Sequence, residues 1–461
     1  MNSTLKKTPP VATPRLAYLL SQYPAVSHTF LRDEINGLRQ LGFTIETASI
    51  NAASAAHTGE DGAAVSSTFY VKPTPATRAL GLAFRTLFSQ PGVFFRGLRA
   101  AFTGTGLDAW RILYAGFYFL EGLLVADWLR QRNLRHLHIH FGGPVATVGR
   151  IAARAARVPY SLTIHGPDEF FNENKFLLRQ KIEQAAFVLC ISDFCRAQLM
   201  RIAAPRHWSR LHVARLGVNT DLFAARTPRS LAVPVQILCV GRLVPAKGQR
   251  VLLDACRLLA ERGHPLHITF VGTGPGADGL KTHAAVLGLG ASVHFTGALT
   301  HAETRARLAE ADVFVLPSFA EGIPVSIMEA MAIQLACVST WTAGIPELIT
   351  DNVDGLLVPP GSAHALADAL ELLFADPQLR ARLASPPASV CSPTTLRKTV
   401  CPAPPPCSAN TSPVTCHDPR GQRRPHADRP LSHHCFFQYP RRPAFLPRIH
   451  PARNHSLSPA G

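Results

Sequence analysis

The chain has 461 residues, 47% of them hydrophobic and 17% charged, with a formal net charge of +17 and a pI near 9.9. That length and apolar share exclude a natively disordered chain and call for two cores of roughly 150 to 220 residues each. The basic total invites a nucleic-acid reading, but ten Lys and Arg against two Asp stand from Ser385 onward, so nearly half of the excess belongs to that segment. There is no run of five like charges and no basic strand interleaved with aromatics, and nucleic acid is not an expected partner.

The first 15 residues hold Lys6, Lys7, Arg15 and three prolines with no apolar run behind them, so they read as a flexible N-terminus and not as a signal peptide. From there to residue 226, strand-length apolar runs alternate with helix-length amphipathic segments, the pattern of a parallel sheet with crossover helices. RLAYLLSQYP, FTIETASI, HLHIHF, YSLTIHG, FVLCIS and LHVARLG read as strands. FLRDEINGLRQLG, PVATVGRIAARAARV and NKFLLRQKIEQA read as helices, with a helical insertion over about 78–130. Its most apolar stretch, Phe117 to Leu129, is broken by Glu121 and Asp127 and is too short to span a bilayer. Residues 78–135 mix Arg with Phe, Leu and Trp in two helix-like stretches, which suits peripheral contact with an anionic membrane as well as ordinary amphipathic core helices.

Prolines 228 and 234 punctuate an aperiodic stretch at 227–234, read as a linker. A second series follows over 235–384: QILCVGRL, HITFVG, VHFTGA, VFVLPS, ACVST and GLLVPP as strands, a helix after each of the first five, and one last helix from His364 to Ala384. The fold class is therefore α/β, in two domains. Over 385–461 periodicity stops and 16 of the 38 prolines appear, a composition expected to stay disordered and abrupt enough to suggest a reading-frame change. Cys391, Cys401, Cys407, Cys416 and Cys435 lie there without metal-ligand spacing. Cys190, Cys195, Cys239, Cys256 and Cys337 sit in apolar segments and read as buried thiols, which fits a reducing cytoplasm.

Chemistry concentrates in the second series. In GRLVPAKG, Arg242 and Lys247 share one loop at a strand end and can converge on two adjacent phosphates, with Gly248 and the helix after it adding backbone donors. In VGTGPG the glycines Gly272, Gly274 and Gly276 are spaced G-x-G-x-G, which fails the dinucleotide fingerprint and leaves a strand-to-helix turn, either plain or touching a nucleotide. Seven residues separate Glu321 from Glu329, and Pro324 between them starts a helix. Glu321 then lies on the loop and Glu329 one to two turns inside, able to accept both hydroxyls of a ribose. The N–H groups of Gly322, Ile323 and Val325 face an anion or a sugar hydroxyl.

GRLVPAKG, VGTGPG, EGIPVSIME and GIPELITDNVDGLLVPPG, in this order, resemble the retaining glycosyltransferase family 4 of two-Rossmann GT-B architecture, and the likeness spans residues 16 to about 384. SQYPAVSHTFLRDEI is similar to the opening of bacterial members that build exopolysaccharides of the colanic-acid type. The resemblance implies a nucleotide-diphosphate sugar as donor substrate, a saccharide or lipid-linked saccharide as acceptor, and no metal or other cofactor. It implies that Arg242 and Lys247 hold the diphosphate with Gly272 and Gly274 nearby, that Gly322, Ile323, Pro324 and Val325 line the donor, and that Glu329 binds the ribose. It places Glu321 beside the transferring sugar, brings His165 to that sugar from the first domain with Asp168 close by, and leaves room at Gly142 and Gly143. His28 stands where the family often has glutamate, and the family's closing helix has no counterpart after Ala384. A catalytically impaired nucleotide-sugar-binding protein and a sugar-nucleotide epimerase are the alternatives, the latter without need of the paired glutamates.

Overall fold

The computed structural model describes residues 15–25, 29–53, 62–104, 106, 108–223, 230 and 233–384. The expectations for the first 14 residues, for His28, for most of the 227–234 linker and for the segment from 385 with its five cysteines lie outside these residues. The first lobe carries β1 (Arg15–Gln22), β2 (Thr44–Asn51), β3 (Phe69–Tyr70), β4 (Leu137–His140), β5 (Tyr160–Ile164), β6 (Val188–Cys190) and β7 (Leu211–Val213). The second carries β8 (Val235–Val240), β9 (Leu266–Val271), β10 (Val293–Gly297), β11 (Val313–Leu316), β12 (Ala336–Thr340) and β13 (Leu356–Val358). All pairs are parallel, in the orders β3-β2-β1-β4-β5-β6-β7 and β10-β9-β8-β11-β12-β13. Both sheets thus wind outward from a first strand and reverse beside it, between β1 and β4 and between β8 and β11. A doubly wound sheet opens a crevice for ligands at the carboxyl ends of such a reversal.

Burial on both faces explains the apolar strands. VFVL of β11 and ACVST of β12 are buried throughout, and each lobe packs its own core of Leu, Ile, Val and Ala around its sheet. The five described cysteines are buried and unpaired, and burial pushes the Cys239 thiol up to about 12.

The insertion forms three helices, Ala76–Ser89, Pro91–Phe102 and Ala109–Gln131, against the two stretches read from the sequence. Ala109–Gln131 is long and apolar enough to cross a membrane, but half of its most apolar stretch is buried against the lobe. A Cβ on Gly122 would stand 2.5 Å from Ile151 Cγ2, so the missing side chain is what lets this helix lie against Pro144–Ala156. Its other face, with the two helices before it, leaves Phe84, Phe88, Phe95, Trp110, Leu113 and Phe117 exposed.

Several further elements differ from the sequence reading, which contains neither β3 nor the helices Gly62–Ser67 and Pro167–Phe171. The last helix is two, Ala363–Ala375 and Pro377–Leu383, because Pro377 cannot donate within a helix and Asp376 caps the second piece, accepting from Gln378 and Leu379 N–H. After β12 the crossover is a single 3-10 turn, Ile345–Glu347, with Pro346 in its first turn. Between β6 and β7 lies a helix, Asp193–Ile202, whose three buried residues make too thin an apolar stripe to stand out by period.

Candidate active site

The loops that leave β8 and β11 meet at the second reversal. Gly248 takes φ +67, and a Cβ there would stand 1.9 Å from the Pro317 carbonyl oxygen, so only glycine lets the two loops touch. Phe319 N–H donates to the Ala246 carbonyl (2.8 Å). On this clasp Lys247 Nζ lies 2.6 Å from Glu321 Oε1, which also accepts from the Ser318 hydroxyl at 2.7 Å. Glu321 is almost fully buried, and a carboxylate there needs such partners. Arg242 instead extends into solvent, 67% exposed, and lies 3.6 Å from Asp168 of the first lobe. The buried Gln249 amide holds the Arg242 carbonyl at 2.8 Å.

The VGTGPG turn packs under this loop. Cβ atoms on Gly272 and Gly274 would stand 2.1 Å from the Gly241 and 2.3 Å from the Leu243 carbonyl oxygens, so the glycines serve backbone-to-backbone packing. Pro324 caps helix Val325–Ala332, Ile323 is buried, and Glu329 lies one turn in. Val325 and Glu329 line a cavity shared with Phe30, Asp33, Asn219 and Arg305. Desolvation there raises the Glu329 carboxyl to about 7, with Asp33 adding to the rise and Arg305 opposing it.

From the first lobe, His165 ends β5 and lies between Phe30 and Phe141, ring centroids 5.0 and 4.4 Å away. Its backbone carbonyl approaches the second lobe so closely that a Cβ on Gly322 would stand 1.9 Å from it. Glu169 accepts from the backbone N–H groups of His165 (2.7 Å), Gly166 (3.1 Å) and Gly142. Lys181, fully buried, donates to the Gly142 and Gly143 carbonyls at 2.8 and 2.7 Å. At Gly142 the room left by the missing side chain is therefore filled by Leu178, Ile164 and Glu169, whereas Gly143 has only Phe176 within 4 Å and stays open. The structure brings His165, Asp168, Arg242, Lys247, Glu321 and Gly322 to one seam between the lobes. Glu329 lies in the cavity beside helix Thr29–Gln40.

A further clasp closes that seam. Glu347 accepts from the Asp193 and Phe194 N–H groups at 2.8 and 2.7 Å, capping helix Asp193–Ile202 of the first lobe, and Arg215 joins it at 3.1 Å. Residues 230–386 match the model of glycosyl transferases group 1, and residues 91–222 that of glycosyltransferase family 4. The chain belongs to these glycosyltransferases. It is 29% identical over 372 residues to the putative colanic acid biosynthesis glycosyltransferase WcaL of Escherichia coli, covering 77% of this chain and 89% of the relative. To the amylovoran biosynthesis glycosyltransferase AmsK of Erwinia amylovora it is 35% identical over 243 residues, 50% of this chain and 59% of that one. The crystal structure of Anabaena HepE in complex with UDP shares the fold, with a TM-score of 0.61 at 18% identity over 84% of this chain and 99% of that chain.

Within this glycosyltransferase, several supporting residues escaped the sequence reading. Glu169 and Lys181 hold the loops around His165 and Gly142, and Glu347 lies inside the recognised GIPELI segment without a role attached to it. A lone Lys181 on an otherwise apolar helix face was the one local signal, since a buried cation requires acceptors.

Proposed function

We propose that the protein is a retaining glycosyltransferase that moves a sugar from a nucleotide-diphosphate sugar to a saccharide or lipid-linked saccharide during exopolysaccharide assembly. The observation that supports it most is the juxtaposition of Arg242 and Lys247, on the loop after β8, with Glu321 and, across the seam, His165 and Asp168. In the proposed step the donor's C1–O bond to the β-phosphate breaks, and the acceptor hydroxyl oxygen bonds to C1 on the same face. The hydroxyl proton passes to the departing phosphate oxygen. Arg242 and Lys247 stabilise the charge that grows on the diphosphate, Lys247 exchanging part of its pairing with Glu321 for the phosphate. Glu329 accepts the ribose hydroxyls, and His165 approaches the sugar. The division into two lobes at 227–234 and the absence of any required metal belong to the same proposal.

Screening UDP-, GDP- and ADP-sugars by thermal shift identifies the donor, and NMR of the product's anomeric proton tests retention. Inversion of the anomeric centre, or no shift with any donor, would overturn the reading.

The exposed Phe84, Phe88 and Trp110, carried on the same three helices as the exposed Arg78, Arg85, Arg99 and Arg111, favour a lobe that rests on an anionic bilayer to reach a lipid-linked acceptor. Cosedimentation with vesicles, with and without anionic lipid, tests this contact.

A further inference from the structure

Strand β4 and the residue before it carry histidine at every second position, His136, His138 and His140, and the last two are buried. His138 is fully engaged: Nδ1 lies 2.7 Å from the Ser161 hydroxyl and Nε2 2.9 Å from the Thr163 hydroxyl. Glu34, His138 and His140 group their polar atoms closely enough to suggest a cation site, but a ring with both nitrogens taken by hydroxyls has no lone pair left for a metal.

His140 differs. Its Nδ1 lies 3.1 Å from His165 Nε2, and its Nε2 lies 3.4 Å from Glu34 Oε1. Glu34 accepts from the Tyr18 hydroxyl at 2.8 Å. These groups form one line from the core to the seam: Tyr18 on β1, Glu34 on helix Thr29–Gln40, His140 at the end of β4, and His165 at the end of β5.

We propose that Glu34 and His140 are positioning residues that act through His165, holding its ring and setting its proton affinity for sugar transfer. This rests on the reading of His165 as the group that approaches the sugar.

The chemistry follows from the acceptor at the far end. At 3.4 Å Glu34 makes no hydrogen bond to His140 Nε2, but its negative charge favours the tautomer of His140 with the proton on that nitrogen, which leaves Nδ1 as acceptor for the Nε2–H of His165. One tautomer of each ring is thereby selected. Desolvation pushes the Glu34 carboxyl up, but His140, with His138 and the Tyr18 hydroxyl, drives it down to about 2. Other titratable groups lie along the line. Tyr18 stays protonated, its phenol raised by burial and by Glu34, and His138 is held neutral by burial. Glu169 meets the His165 backbone N–H, and Asp168 pairs with Arg242 farther out. Among the described residues, Glu34 is the one carboxylate whose oxygen lies within ion-pair distance of a buried imidazole, that of His140. The signal in the sequence was the alternation HLHIH, which puts histidines where a parallel strand ordinarily buries aliphatic residues.

The test uses the full chain and release of nucleoside diphosphate from a panel of UDP-, GDP- and ADP-hexoses. Glu34→Gln keeps shape and removes the charge. It should lower kcat at least tenfold, leave affinity for the free nucleoside diphosphate unchanged, and move the acid limb of the kcat profile to lower pH by half a unit or more, because the imidazolium has lost its counter-charge. Glu34→Asp should restore part of the rate. In a His165→Ala background, Glu34→Gln should cost less than twofold further, since the line then ends in nothing. An unmoved pH limb, or the same tenfold loss with and without His165, would overturn the proposal while leaving the role of His165 standing. Normal turnover in His165→Ala alone would instead sink the reading on which it rests.

Discussion

Glu329 offers a prediction in which stability and function oppose each other. Its carboxyl stands near pH 7 in the folded chain against an ordinary value of 4.5, so folding favours the protonated form. The stabilisation this confers is complete below about pH 4.5 and is lost as the pH rises through 7. A rise of that size corresponds to about 3 kcal/mol, and to about 1.5 to 3 kcal/mol once the water that still reaches this partly buried group is allowed for. Glu329→Gln stays neutral at every pH. The variant should therefore gain on the native chain progressively between pH 5 and pH 8, reaching about 1.5 to 3 kcal/mol at pH 8 in urea melts without nucleotide. It should also bind donor more weakly, by about 1 to 3 kcal/mol, through the lost charge-assisted bonds to the ribose. If the ribose requires the carboxylate, native donor affinity improves by about tenfold from pH 6 to pH 8, and the variant's does not change. A stability difference independent of pH, or a variant less stable at pH 8, would refute the desolvation argument. An unaltered donor affinity would remove Glu329 from the site.

Replacing Arg242 or Lys247 by Ala should cut transfer at least about a hundredfold, mostly in kcat, as steady-state kinetics would show. Lys247→Ala should also destabilise the fold by about 3 to 5 kcal/mol, since it strands the buried Glu321, and thermal melts separate this from the Arg242 variant, whose side chain is exposed. Gly322→Ala should abolish turnover while leaving nucleotide binding by the second lobe measurable, because its Cβ would overlap the His165 carbonyl. Glu347→Ala removes the cap shared by Asp193, Phe194 and Arg215 and should cost about 1 to 3 kcal/mol, with a larger radius of gyration in solution scattering. Ser at Phe84, Phe88 and Trp110 together should release the protein from anionic vesicles without lowering its melting temperature, since these side chains touch water and not the core.

Local pattern alone determined much of this protein. The alternation of strand-length and helix-length apolar segments led to two parallel sheets, and GRLVPAKG with EGIPVSIME placed Arg242, Lys247, Glu321 and Glu329 at strand ends and on the first turns of a helix. Those features repeat over a few residues, so a short window holds the whole signal. Some breaks were also local yet misread: Pro377 was visible in the sequence, but the apolar period on either side of it is continuous. What only the tertiary structure decided is which distant groups share a bond. Glu34 lies on the helix after β1, His140 is the last residue of β4 and His165 follows β5, and the strand order β1-β4-β5 is what lines them up. Glu169 reaching Gly142, Lys181 reaching both glycine carbonyls and Glu347 capping a helix of the other lobe depend in the same way on sheet order and lobe closure. Buried polar groups must find partners, and nothing in a run of ten residues says where in a folded chain those partners come from.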